Sequence, residues 1–105
     1  MRRCFLGCLF AIFTLSANAD VSTQPMTIKV IETGWSAEAI YVSTNEGYEL
    51  ESCGSARLRL DEASNMFEQD FALLMSAFHT QTKVVFRVSG CSGDDINIIA
   101  VALVN

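Results

Sequence analysis

Residues 65–80 read Asn65-Met66-Phe67-Glu68-Gln69-Asp70-Phe71-Ala72-Leu73-Leu74-Met75-Ser76-Ala77-Phe78-His79-Thr80, and the stretch Lys83 to Cys91 follows almost at once. Phe67, Phe71, Leu74 and Phe78 fall at steps of four, three and four, so a helix places them on one face. Met66, Leu73 and Ala77 widen that face into a broad apolar stripe, and Glu68, Gln69, Asp70 and His79 fall largely off it. Asn65 suits an N-cap, with Glu68 placed three residues later to bond back to the Asn65 amide. Asp61, Glu62, Glu68 and Asp70 suit the positive end of the helix dipole. No glycine follows Thr80, so the run Thr80-Gln81-Thr82 has to end the helix with polar and β-branched residues alone. The phenylalanines read as core, since a helix laid on a sheet requires such a stripe.

Outward from the helix the chain reads as strands. Val84, Phe86 and Val88 alternate with Val85, Arg87 and Ser89, and Cys91 to Asp95 makes a turn. Ile96 to Val104 is almost continuously apolar, which predicts a strand buried on both faces or packed in an oligomer interface. On the other side of the helix, Arg57-Leu58-Arg59-Leu60 alternates, giving one wet and one dry face. Before it, Tyr48 to Cys53 reads as a strand joined to Arg57–Leu60 through a kink at Gly54-Ser55. Asn45-Glu46-Gly47 reads as a hairpin turn after a strand over Ala39 to Thr44. Met26 to Glu32 is the first strand, broken by Thr33-Gly34-Trp35-Ser36, and Asp20 to Pro25 reads as a mobile lead-in. The order is three strands, a helix and two strands (β-β-β-α-β-β). That order predicts a mainly β, α+β domain: a five-stranded, partly open barrel of the OB type, or an antiparallel sheet carrying one helix.

The first 19 residues stand apart. Arg2 and Arg3 make a charged start, Cys4 to Leu15 an apolar run too short to span a bilayer, and Ala17-Asn18-Ala19 a cleavage signal. This is the pattern of a bacterial secretory signal peptide over residues 1–19. Cleavage near Ala19 would leave residues 20–105 as one small domain in the periplasm or outside the cell. The chain carries seven basic and twelve acidic residues. Loss of Arg2 and Arg3 makes the mature domain more acidic still, so its field does not attract nucleic acid or anionic lipid. No membrane insertion is expected after cleavage.

Of four cysteines, Cys53 and Cys91 remain after cleavage. An oxidising compartment and an even count make a disulfide between them the default, worth roughly 3–4.5 kcal/mol on the chain-entropy model. The rival is a metal or redox pair, which finds no C-x-x-C and a single histidine. These elements resemble the small secreted OB-fold proteins related to the binding subunits of bacterial AB5 toxins, the subtilase-cytotoxin B type in particular. The shared outline is a secretory signal and Cys53 after a hairpin. It continues with the helix Phe71-Ala72-Leu73-Leu74-Met75-Ser76-Ala77, then Lys83-Val84 opening a strand that closes on Cys91. It spans Cys53 to Cys91, and Thr82 stands where a glycine is expected before the strand lysine. The resemblance implies an OB fold and carries over no sugar-contacting residue and no toxin activity.

Catalysis finds little footing. His79, the one histidine, sits near the helix C-terminus, where capping or exposure explains it, and no nucleophile elbow, P-loop or zinc-helix motif is present. Asp94-Asp95 is either a solvated turn or part of a divalent-cation site. Glu49 and Glu51 share a strand face, where Arg57 and Arg59 would make a cross-strand charge ladder with them. The binding candidates are Trp35, in a Gly-Trp-Ser turn, with Tyr41 and Tyr48; exposed rings make platforms for sugars and anchors for proteins. The alternative for Trp35 is a ring folded back over the barrel mouth. The sequence therefore predicts a non-enzymatic binding module for a glycan or protein, monomeric or a homo-oligomer, with no metal and no cofactor. A monomeric structural or inhibitory periplasmic protein is the second reading.

Overall fold

Leu58-Arg59-Leu60-Asp61 alternates apolar and charged residues, and that alternation decides which way the centre of the sheet faces. In the computed structural model, which describes residues 20–34, 38–50 and 52–105, Leu58 and Leu60 are completely buried and Arg59 and Asp61 are not. The strands are β1 (Val21–Ser22), β2 (Ile28–Thr33), β3 (Ala39–Thr44), β4 (Leu58–Asp61), β5 (Lys83–Ser92) and β6 (Asp95–Val104). One helix, α1 (Phe67–Thr80), lies between β4 and β5. The six strands form one mixed sheet in the order β1-β5-β6-β4-β3-β2. All neighbours are antiparallel except β4 and β6, which run parallel because α1 and β5 return the chain between them. The proposed residues 1–19 signal, Trp35 and Glu51 lie outside the described residues.

The protein is thus mainly β with one helix, as the sequence predicts. The strand count and the chain order, with four strands before the helix, differ from that prediction, for two local reasons. First, Asp20 to Pro25 is not a loose lead-in. β1 pairs with β5, Thr23 exchanges backbone and side-chain bonds with Phe86, and Met26 and Val84 bridge through both amides. Backbone pairing holds this stretch, so its polar side chains gave no sign of it. Second, Tyr48 to Leu50 is not a strand. Asn45 and Glu46 turn back to Thr27 instead of starting a hairpin: the Asn45 amide donates to the Thr27 carbonyl, and the Glu46 carboxylate accepts the Thr27 N–H at 2.8 Å. That N–H holds the exposed Glu46 carboxyl below its ordinary range.

The core fills the space between α1 and one sheet face. Ile40 pairs with Leu60 and Val42 with Leu58, which pairs in turn with Ile96, so one layer of apolar side chains crosses three strands. Phe86, Val84 and Val88 extend it along β5, and Leu74 and Ala77 close it from the helix. The helix is turned from its predicted phase. Asp70, Leu74 and Ala77 are its buried residues, and Phe78, Leu73 and Met66 are exposed. Its start is capped at Met66 with no side-chain bond, not at Asn65. Its end is closed by Gln81 in the left-handed region (φ 58°), with the Thr82 amide bonding back to Ala77. The Gln81 amide group donates to the carbonyls of Phe78 and Ile28, which ties that end to β2. β6 is buried at Ile96 and Ile98, while Ile99 is exposed, so the strand is not buried on both faces along its length.

Candidate functional site

On the sheet face opposite the core, the register lines up Glu32 of β2, Tyr41 of β3, Arg59 of β4 and Asn97 of β6 in one row. Arg57 lies two residues before Arg59 and therefore on the same face. Its guanidinium carbon sits 4.0 Å from the Tyr41 ring centroid, and that of Arg59 5.7 Å. Both distances are within the range of cation–π attraction. Arg57 donates from Nε and Nη2 to the two carboxylate oxygens of Asp95, each at 3.2 Å, and reaches Glu32 at 3.7 Å. This fork on a carboxylate raises the Arg57 pKa further and fixes the plane of the guanidinium. Arg59 donates from Nε to Asp61 at 2.7 Å. Among the described residues its remaining N–H groups find no partner, so they are donors set above an aromatic ring.

The loop before β4 sets this geometry. The Sγ atoms of Cys53 and Cys91 lie at disulfide bonding distance, with Cα atoms 5.5 Å apart. The Ser55 amide donates to the Asp94 carbonyl, and the Ile96 amide to the Arg57 carbonyl. Gly54 lies so close to the β5–β6 turn that a Cβ there would meet Asp94 Oδ1 at 3.2 Å. That turn is the two-residue loop Gly93-Asp94, with positive φ at Gly93 only, which suits the twist of an antiparallel pair. The loop and the turn are therefore clamped together, and Arg57 meets Asp95 just beyond the clamp. Asp95 is 7% exposed and Asp94 is exposed, so the two adjacent acids have different roles: one is an ion-pair partner and the other is in solvent.

Of the aromatic candidates, Trp35 lies outside the described residues. Tyr41 is 8% exposed, roofed by the two arginines rather than open as a platform. Tyr48 is half-buried and packs against the core cluster. Arg57 and Arg59 bond to Asp95, Glu32 and Asp61, so the expected ladder to Glu49 is replaced. His79 is exposed in the last helical turn. Among the described residues no group of three His, Cys, Asp or Glu side chains could hold a metal, and no helix is long and apolar enough to cross a membrane. The arginine pair was the site signal the sequence offered: two cations at a spacing of two, alternating with leucines. What the sequence does not show is which tyrosine they would cover. A separate hollow of about 460 Å³ beside the disulfide is lined by Glu49, Leu50 and Cys53 to Ala56. Among the described residues its lining offers one carboxylate, that of Glu49, and one hydroxyl, that of Ser55, which accepts the Arg57 N–H.

Arg57→Ala should uncover Tyr41 and leave the Asp95 carboxylate without its partner. The expected cost is about 1–3 kcal/mol, read from denaturant midpoints. Asp95→Asn in the same background should recover part of the loss.

In comparisons with known proteins, no family model, no curated protein and no solved structure matches this chain.

Proposed function

We propose that this chain is a secreted or periplasmic, non-enzymatic binding module whose partner, a glycan or a protein, docks on the β2–β4 face at Arg59, Arg57 and Tyr41. The observation that carries this reading is the paired guanidinium array over Tyr41, held in place by Asp95, Glu32 and Asp61 on the sheet face away from the core. Prefixed donors lose little freedom on binding, which is how a small surface gains affinity. Arg59 supplies N–H groups that have no partner among the described residues; Arg57 and Tyr41 supply the rigid floor.

The architecture supports the same reading. The stretch Val21 to Thr33 begins against β5 and ends against β3. We count it as one bent strand that joins the two ends of the sheet, a reading under which the six strands would make a five-stranded ring of the OB type. In that count β3 and β4 are the second and third strands, whose outer face is the usual ligand surface of OB folds. The signal-like residues 1–19 and the cysteine pair support export. Met66, Leu73, Met75 and Phe78 leave apolar surface on the helix, which suits assembly into a homo-oligomer.

The test is glycan-array and direct binding measurement with the wild type and Arg59→Ala. Loss of a charged hydrogen bond should weaken binding about tenfold or more, while Lys29→Ala should leave it unchanged. A clean monomer by native mass that binds no glycan and no secreted protein would sink the proposal. That outcome would favour the second reading, a monomeric structural or inhibitory periplasmic protein, which draws support from the mutual pairing of Arg57 with Asp95 and Glu32.

A further inference from the structure

Asp70 is 6% exposed, and its Oδ2 has no hydrogen-bond partner among the described residues. It sits in the first turns of α1, on the same helical face as Leu74 and Ala77, and so against the apolar interior. The helix packs on β2, β5 and β6. The charged residues of those strands are Lys29 and Glu32, Lys83 and Arg87, and Asp95. All but Asp95 are exposed, and Asp95 is bound to Arg57 on the far face. On the helix itself Glu68 and His79 are exposed. No cation therefore lies within 4 Å of the Asp70 carboxylate among the described residues.

We propose that Asp70 is a pH-sensitive latch: its protonated carboxyl lets α1 stay docked on the sheet, and its ionised carboxylate loosens the helix to reach water. A neutral carboxyl tolerates an apolar contact, whereas a carboxylate without a partner does not. Two influences oppose each other here. The positive end of the helix dipole favours the carboxylate, and burial favours the acid. Burial wins, holding the Asp70 pKa above its ordinary value. The sign follows directly. A group whose pKa is higher in the folded than in the unfolded chain contributes its full stability in acid and loses it as pH rises through the folded value. Asp70 thus makes the domain tighter in acid and looser towards neutral pH, with the opening localised to the helix. The device is independent of the ligand face, which lies on the other side of the sheet.

The experiment has two arms. In the first, the wild type and Asp70→Asn are unfolded by urea across the acid-to-neutral range. Relative to the variant, the wild-type folding constant should fall by up to tenfold per pH unit above about pH 4, then level off. Helix amides compared at one neutral pH should be less protected from hydrogen exchange in the wild type than in Asp70→Asn. Parallel stability profiles for the two proteins would overturn the proposal. The second arm needs no variant: the Asp70 carboxyl carbon is followed by NMR in the wild-type domain. A titration midpoint well above the usual aspartate value of about 3.9 supports the latch, and one at or below it overturns the proposal.

Discussion

Leu74→Ala is expected to destabilise the domain by about 2–5 kcal/mol, enough to unfold a protein of this size under mild conditions. Leu74 is completely buried, in the core cluster that also holds Val42, Leu58 and Ile96. The loss combines the transfer energy of the removed atoms with a cavity that the surrounding strands cannot fill. Phe78, one turn further on, is the informative comparison. It is larger than Leu74 but 39% exposed. Phe78→Ala should therefore cost only about 1–1.5 kcal/mol, a partial share of a phenylalanine's burial energy. Urea midpoints for the two variants give the phase of the helix directly. If Phe78→Ala proved the more damaging, the helix would be seated as its sequence spacing predicts, and Asp70 would be in solvent. If Phe78→Ala left stability unchanged but split an oligomer, that flank would be a subunit contact.

The helix shows why its existence was legible in the sequence and its orientation was not. Apolar residues at 66, 67, 71, 73, 74, 75, 77 and 78 cover well over half of its circumference. Such a wide stripe fixes the helical period but only weakly fixes its centre. The direction that faces the core is decided by where the sheet lies. The chosen direction takes in Asp70 and leaves Phe78 at the margin, a local conflict that a narrower stripe would have ruled out. At the helix end the sequence offers no glycine, and Gln81 adopts the left-handed conformation all the same. Its side chain compensates by donating to two carbonyls, a tertiary arrangement that no local pattern announces.

The strands divide by the same physics. β3, β4, β5 and β6 bury side chains on alternating or continuous patterns, and the sequence places them. β1 is held by backbone bonds along β5 and buries neither of its two residues, so periodicity is silent about it. Tyr48 to Leu50 misled in the other direction. Its alternation comes from Tyr48 and Leu50 leaning on the core outside any paired strand. At the candidate site, Arg57 and Arg59 were legible as a wet strand face. Most of their partners were not, because Glu32, Tyr41 and Asp95 come from three other strands and only the sheet register brings them to the arginines, whereas Asp61 is local, two residues from Arg59 on β4. The pairing of Asp95 with Arg57 in particular depends on the turn at Gly93-Asp94 pressing against Gly54.

Cys53→Ser is the second large expected effect, at about 2–5 kcal/mol, the usual result of removing a native disulfide from a small secreted domain. For a domain of this size that corresponds to a fall in Tm on the order of 10–30 °C. The cysteine pair joins positions 38 apart in sequence, so its loss frees the unfolded chain substantially. It also acts on the folded side. Without it, the backbone hold of this loop on the β5–β6 turn rests, among the described residues, on two amide bonds: Ser55 to the Asp94 carbonyl and Ile96 to the Arg57 carbonyl. Arg57 is then free to withdraw from Asp95, which loosens the arginine array as well as the domain. Two measurements separate these contributions. Mass spectrometry of protein purified without reductant should give a chain two hydrogens lighter than the reduced form. Binding by Cys53→Ser, measured well below its own Tm, should be weaker than that of the wild type. Free thiols at both Cys53 and Cys91 in the wild type so purified would rule out the staple altogether. An unchanged affinity in a variant of lowered Tm would confine the disulfide to stability and leave the arginines to hold their own positions through Asp95, Glu32 and Asp61.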